Sequence, residues 1–232
     1  PAAGPADDAP LPPAPPPVRG ERKHVTVLFS DLTGFTSLSE GLDPEEVKDL
    51  LADLFGRIAR VVVKYEGFIE KYVGDAIMAV FGATRAFEDD PLRAIRAARE
   101  IHHQVEELGA RFGERLGRPL AMHSGIYSGL VVIGEVNPAQ GTHGITGEPV
   151  NLAARLCGAS RPGEILVGED TFRQAQGSFD FEALAPVAVK GRAAPLPAWR
   201  VTGAKGQPRQ VRRLHGRRAE LVGRTAELAR LA

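Results

Sequence analysis

VTVLFSDLTGFT, residues Val25–Thr36, is the stretch whose reading decides the fold. From His24 to Phe29 the run is rich in apolar and β-branched residues, the signature of a buried strand. The run then ends on Asp31, and Leu32-Thr33-Gly34 turns away from it. A strand that only has to pack needs no carboxylate at its tip. A strand that delivers a metal ligand does.

Downstream, GLDPEEVKDLLADLFGRIARVVVKYEG switches to helical period, with Val47, Leu50, Leu51, Leu54, Ile58, Val61, Val62 and Tyr65 on one face. Asp43 is the expected N-cap, with Pro44 at the first helical position, Glu46 completing a capping box and Gly67 stopping the helix. FIEKYVGDAIMAVFG returns to β, with Gly74-Asp75 as the turn of a hairpin. Asp90 and Pro91 open a second helix carrying Leu92, Ile95, Ile101, Val105, Leu108, Phe112 and Leu116 at three- to four-residue intervals. Two short strands, LAMHSGIY and LVVIGEV, are expected on either side of Ser128-Gly129. After them come a Gly-rich loop, a third helix from Pro149 to about Cys157, the strand EILVG, and short strands to Val201. The order β-α-β-β-α-β predicts an α/β (α+β) fold with a ferredoxin-like split βαβ core, helices on one face of a mainly antiparallel sheet.

The 232 residues, 43% hydrophobic, suffice for one substantial core. Formal charge balances to zero, which argues against nucleic acid as a partner. No apolar run approaches a membrane span, so no membrane insertion by this chain is expected, and no signal peptide is visible. The single cysteine, Cys157, excludes an internal disulfide framework and fits a reducing, cytoplasmic setting. The first residue is not Met, so the chain reads as a piece of a longer protein. Residues 1–20, rich in Pro and Ala, read as a disordered linker. Residues 203–232 are basic. His102 and His103 are neighbours on a helix and cannot share a face, so surface or boundary positions are expected for them.

Asp31 and Asp75 come from strands that neighbour each other in a split βαβ core, so their carboxylates can meet at one sheet edge. Such pairs suit Mg²⁺, which takes oxygen ligands from one or two carboxylates and from substrate phosphates. Taken singly, each Asp could equally be a turn residue.

VTVLFSDLTGFT, EKYVGDAIMAVFG, GIYSGLVVIGEV and ITGEPVNLAARL together resemble the catalytic domain of class III nucleotidyl cyclases, in that family's chain order, over roughly residues 23–202. The resemblance implies the cyclase fold over residues 21–202 and a homodimer whose sites draw on both subunits. It also implies conversion of ATP to 3′,5′-cyclic AMP and pyrophosphate with two Mg²⁺ or Mn²⁺ ions per site. By implication Asp31 and Asp75 hold metal with the Leu32 carbonyl, Lys71 and position 144 read the base, Asn151 orients the ribose, Arg155 neutralises the α-phosphate, and Lys190 touches the terminal phosphates. An ammonium at position 71 can donate to adenine's ring nitrogen, whereas guanine's N–H donors call for a carboxylate. Asn151 and Arg155, four apart, project from one helix face.

Three positions depart from the pattern: Tyr127 stands where the family frequently has His, Leu130 where some members have a basic residue, and the third bears on the base. Gly144 stands where the family has a second base-reading side chain, usually Asp or Thr, with His143 beside it. This leaves two further readings open: a weak or silent cyclase-like module that binds nucleotide or dimerises, and a guanylyl cyclase. The tail RRLHGRRAELVGRTAELARL resembles the opening of an AAA- or STAND-type ATPase domain that would continue beyond the C-terminus. The alternative for the tail is a solvated helix and linker.

Overall fold

Twelve consecutive residue pairs join the first strand to a strand a hundred residues later, and this ladder is the axis of the molecule. The computed structural model describes residues 20–33, 43–112, 120–134, 144–188 and 194–205. In chain order the elements are β1 (Glu21–Leu32), α1 (Pro44–Lys64), β2 (Gly67–Val73), β3 (Ala76–Phe81), α2 (Asp90–Phe112) and β4 (Met122–Ile133). They continue with β5 (Ile145–Thr146), α3 (Glu148–Ala159), β6 (Ile165–Val167), α4 (Glu169–Ala175), β7 (Phe179–Ala183) and β8 (Trp199–Ala204). The sheet order is β2-β3-β1-β4-β6-β8-β7, with β5 paired to β4. Every pairing is antiparallel except β4 with β6. The first four strands form the expected split βαβ core.

The alternation in β1 sorts its residues to two faces. Leu28 and Leu32 join the larger core with Leu50, Leu54, Ile58, Val61 and Val62 of α1, Ile95, Ile101 and Val105 of α2, and Ala175 of α4. Val25 and Val27 point the other way, into a second cluster with Met78, Val80, Val131 and Ala153 of α3. The expectation of helices on one face therefore holds for α1, α2 and α4 and fails at α3. The cause is Gly125: a Cβ there would lie 2.1 Å from the Cys157 amide nitrogen and 2.3 Å from the Ala153 carbonyl. The bare backbone of β4 is what lets α3 lie directly on the opposite face.

Local expectations are corrected at several points. LAMHSGIY and LVVIGEV form one strand, because Ser128 pairs with Thr26 across the ladder and Gly129 is needed for the approach of Pro149 Cγ, 2.8 Å from where its Cβ would be. α1 ends at Lys64 and Glu66 takes the positive φ of 62°, whereas Gly67 lies in β2 beneath the Phe81 ring. Asp43 is the N-cap by position, its carbonyl accepting the Val47 amide at 3.0 Å, but its side chain makes no capping bond. The helix α4 replaces part of an expected run of short strands. Leu116 of the second helical face lies outside the described residues. Among the described residues, no helix is long and apolar enough to cross a membrane.

Two histidines differ in fate. His102 is buried, its Nε2 2.8 Å from Ser124 Oγ, so it is a core residue where a surface or boundary one was expected. His103, its neighbour, is at the surface with Nδ1 3.8 Å from Glu107.

Candidate active site

β1 carries Asp31 at its next-to-last position, opposite His123 of β4. The β2–β3 hairpin carries Asp75 in a two-residue turn closed by Val73 and Ala76. Gly74 takes φ +64°, the glycine-first pattern that suits the twist of a tight hairpin. In the β1–β3 register Ser30 pairs with Ile77, so one step further Asp31 faces Ala76, the chain neighbour of Asp75. The two aspartates thus lie near one another at the ends of adjacent strands.

Their proximity is felt electrostatically. The Asp75 carboxyl is held above the usual carboxylate range, chiefly by burial. Its own backbone hydrogen bond opposes this, the Asp31 charge adds to it, and His123 opposes it. Asp31 is partly exposed; its Oδ1 accepts the Leu32 amide at 3.0 Å and its Oδ2 lies 3.7 Å from His123 Nε2. The opposite edge of that imidazole, Nδ1, is 2.9 Å from the Cys157 carbonyl of α3. Past Asp31, the Leu32 side chain is buried and the Thr33 amide donates to the Ala121 carbonyl at 2.8 Å, which fixes the chain's exit. Thr33 Oγ1 is buried without a hydrogen-bond partner.

These residues fit a hard divalent cation. The Asp31 charge adds to the cost of ionising Asp75, a cost that a cation removes, and Thr33, two residues past Asp31, has a buried hydroxyl without a hydrogen-bond partner. Among the described residues no cluster of three or more His, Cys, Asp or Glu side chains could hold a metal ion alone. Asp31 and Asp75 would therefore share an ion with backbone, water or substrate oxygens, as Mg²⁺ commonly does.

The other expected residues stand apart from this pair. Lys71 is exposed on β2, just past a register shift that follows Ile69. Gly144 has φ +64° and its carbonyl accepts the Gly134 amide at 3.2 Å. Asn151 and Arg155 are both exposed on α3, whose other face buries Leu152, Ala153, Leu156 and Cys157. Among the described residues no hydrogen bond or ion pair links Lys71, Asn151 or Arg155 to Asp31 or Asp75. Lys190 and His143 lie outside the described residues.

Sequence reasoning missed two groups here. His123 could have been found by counting back along an antiparallel partner to Asp31. Glu70, 3% exposed beside Lys71, carried no signal, since an acidic residue before an exposed lysine reads as a solvated face.

The chain thus combines an antiparallel split βαβ core, two aspartates near one another at its strand ends, and a helix on the opposite face that exposes Asn151 and Arg155. Comparison with known proteins names the class. The sequence pattern of the adenylate and guanylate cyclase catalytic domain matches residues 18–203, and the chain belongs to that family. It is 29% identical over 186 residues to adenylate cyclase 1 of Rhizobium meliloti (strain 1021), which covers 78% of this chain but 28% of that protein. The chain thus spans less than a third of that relative's length. Among solved structures it resembles the adenylyl cyclase CyaB from P. aeruginosa, with a TM-score of 0.76, 31% identity, and coverage of 81% of this chain and 98% of that one. It also resembles the guanylyl cyclase Cya2, with a TM-score of 0.74, 36% identity, and coverage of 82% and 97%.

Proposed function

We propose that residues 21–202 form an adenylyl cyclase domain that converts ATP to 3′,5′-cyclic AMP and pyrophosphate in a homodimer. The observation that carries this is the nearness of Asp31 and Asp75 at the ends of adjacent strands, with Lys71 four residues before Asp75. The relatives include cyclases of both base specificities, so the choice of ATP rests on Lys71, whose ammonium can donate to a ring nitrogen of adenine but meets N–H donors on guanine.

In the reaction the ribose 3′-oxygen attacks the α-phosphorus of the same molecule. Its proton is lost, the bond from the α-phosphorus to the bridging oxygen breaks, and pyrophosphate departs. Nucleophile and electrophile share one substrate, so the protein's task is to fold that substrate and to stabilise charge. Two Mg²⁺ or Mn²⁺ ions, held by Asp31, Asp75 and the Leu32 carbonyl, would supply charge stabilisation at the attacking and leaving oxygens. Asn151 orients the ribose. Arg155 offers an always-charged planar guanidinium to the α-phosphate, and Lys190 takes the terminal phosphates. In keeping with the composite sites that the resemblance implies, a second copy completes each site, and symmetry gives two equivalent sites per dimer.

The test is turnover of ATP and GTP in parallel with Mn²⁺. Cyclic AMP formed with a higher kcat/KM than cyclic GMP supports the proposal; cyclic GMP as the main product turns it into a guanylyl cyclase. A second reading, a silent nucleotide-binding or dimerising module that regulates a following ATPase domain, is favoured by Gly144, which offers no side chain to the base. Absence of both products from folded, dimeric protein would establish that reading instead.

A further inference from the structure

One hydrogen bond ends, on both sides, next to a position expected to read the base. Glu70 Oε1 accepts the backbone amide of Ile145 at 3.4 Å, joining residues 75 apart in sequence. Glu70 precedes Lys71, and Ile145 follows Gly144. β2 breaks register between Ile69 and Lys71, and a bulge of this kind re-aims the side chain it contains. Glu70 is turned inward to 3% exposure while Lys71 stays exposed.

A buried carboxylate is costly, and an apolar side chain would fill the same volume without that cost. What the carboxylate adds is an acceptor for the Ile145 amide, a tether to β2 for a segment that β4 holds on its other side through the Ile133–Ile145 pair and the Gly134 amide. Gly144 can present only backbone, and its φ of +64° excludes most side chains. Where that backbone lies relative to Lys71 is therefore set by β4 on one side and by Glu70 on the other.

We propose that Glu70 is a positioning residue for nucleobase selection: it fixes the Gly144–Ile145 backbone relative to Lys71, so that a purine is read between an ammonium and a fixed peptide edge. This rests on the cyclase reading. A peptide edge held in place can accept the exocyclic amino group of adenine opposite the lysine. An edge held by β4 alone, with the Ile145 amide released, can also turn that N–H toward the guanine carbonyl, and discrimination falls.

The experiment compares Glu70→Met, which fills the space without an acceptor, with Glu70→Gln, which keeps one, in the full chain. It measures kcat and KM for ATP and GTP, together with equilibrium binding of fluorescent methylanthraniloyl-ATP and -GTP. Glu70→Met lowers the ATP-over-GTP ratio by about tenfold, mostly through KM, while Glu70→Gln stays within about threefold of the parent. Folded Glu70→Met with an unchanged ratio overturns the proposal, as does an equal fall in both variants. If Glu70→Met does not fold, Glu70→Asp, which withdraws the carboxylate by one methylene, must show the same fall, and an unchanged ratio there overturns it. If the parent protein makes no cyclic nucleotide the cyclase reading fails, but the ratio of analogue affinities still decides the role of Glu70. Failure of the parent to bind either analogue overturns both.

Discussion

His102 Nε2 sits 2.8 Å from Ser124 Oγ, and that hydroxyl is 2.6 Å from Ser30 Oγ, on the residue preceding Asp31. Burial pushes the His102 imidazole down to about 4, against a backbone hydrogen bond to Gly163 that favours the charged form. The folded protein therefore resists protonating a ring that the unfolded chain protonates near 6.5. Stability is full above the unfolded value and is lost as pH falls from about 6.5 towards 4, by roughly 3 kcal/mol for this one group. Urea titrations across that range should show the decline. His102→Gln should flatten it while lowering stability at neutral pH by about 1–3 kcal/mol.

Asp75 makes the opposite bargain. Its carboxyl is raised by burial and by Asp31, so as an anion it weakens the metal-free fold at neutral pH, and the penalty is relieved only as pH falls through its folded value. Asp75→Asn should raise the melting temperature of metal-free protein by about 1–2 °C. Added Mn²⁺ should then stabilise the parent protein and leave the variant unchanged, because a ligand stabilises only a state that binds it. Scanning calorimetry with and without Mn²⁺ reads both effects. A variant that still responds to Mn²⁺ would remove Asp75 from the metal site.

Gly125 is the point at which α3 touches the sheet, its missing Cβ replaced by the backbone of Ala153, Leu156 and Cys157. Backbone atoms cannot rotate aside as a side chain can. Gly125→Ala should cost about 2–3 kcal/mol, seen as a lower denaturant midpoint. Because the helix it displaces carries Asn151 and Arg155, turnover should fall further than stability explains.

Composite sites have an arithmetic signature. Asp75→Ala and Arg155→Ala should each be inactive alone as homodimers. Mixed in equal amounts and allowed to exchange, half the dimers are mixed and each holds one intact site, so about a quarter of the parent activity returns. Activity that stays absent, with mixed dimers confirmed by mass spectrometry, would place Asp75 and Arg155 in one chain's site.

The sequence was most legible where a strong period met a distinctive residue. The helical face from Leu50 to Val62, the glycine-first hairpin at Gly74-Asp75 and the strand ending near Asp31 were all readable, because each is set by local spacing. Glycines misled. Gly67 and Gly129 look like breakers but are strand residues, the first of β2 and an inner one of β4, small because the Phe81 ring and Pro149 press on them from elsewhere in the chain. His123, His102 and Glu70 were hidden for a related reason. Their neighbours are supplied by cross-strand register, by helix docking and by a bulge, and none of these is written within a few residues of the side chain itself.

The long ladder between β1 and β4 has a mechanical meaning. Glu21 and Asp31 lie on one unbroken strand, roughly 33 Å apart at about 3.3 Å per residue, clamped along its length by its partner. No hinge separates them. A displacement imposed at Glu21 would thus have no break in the paired strand to absorb it before the carboxylate at the far tip.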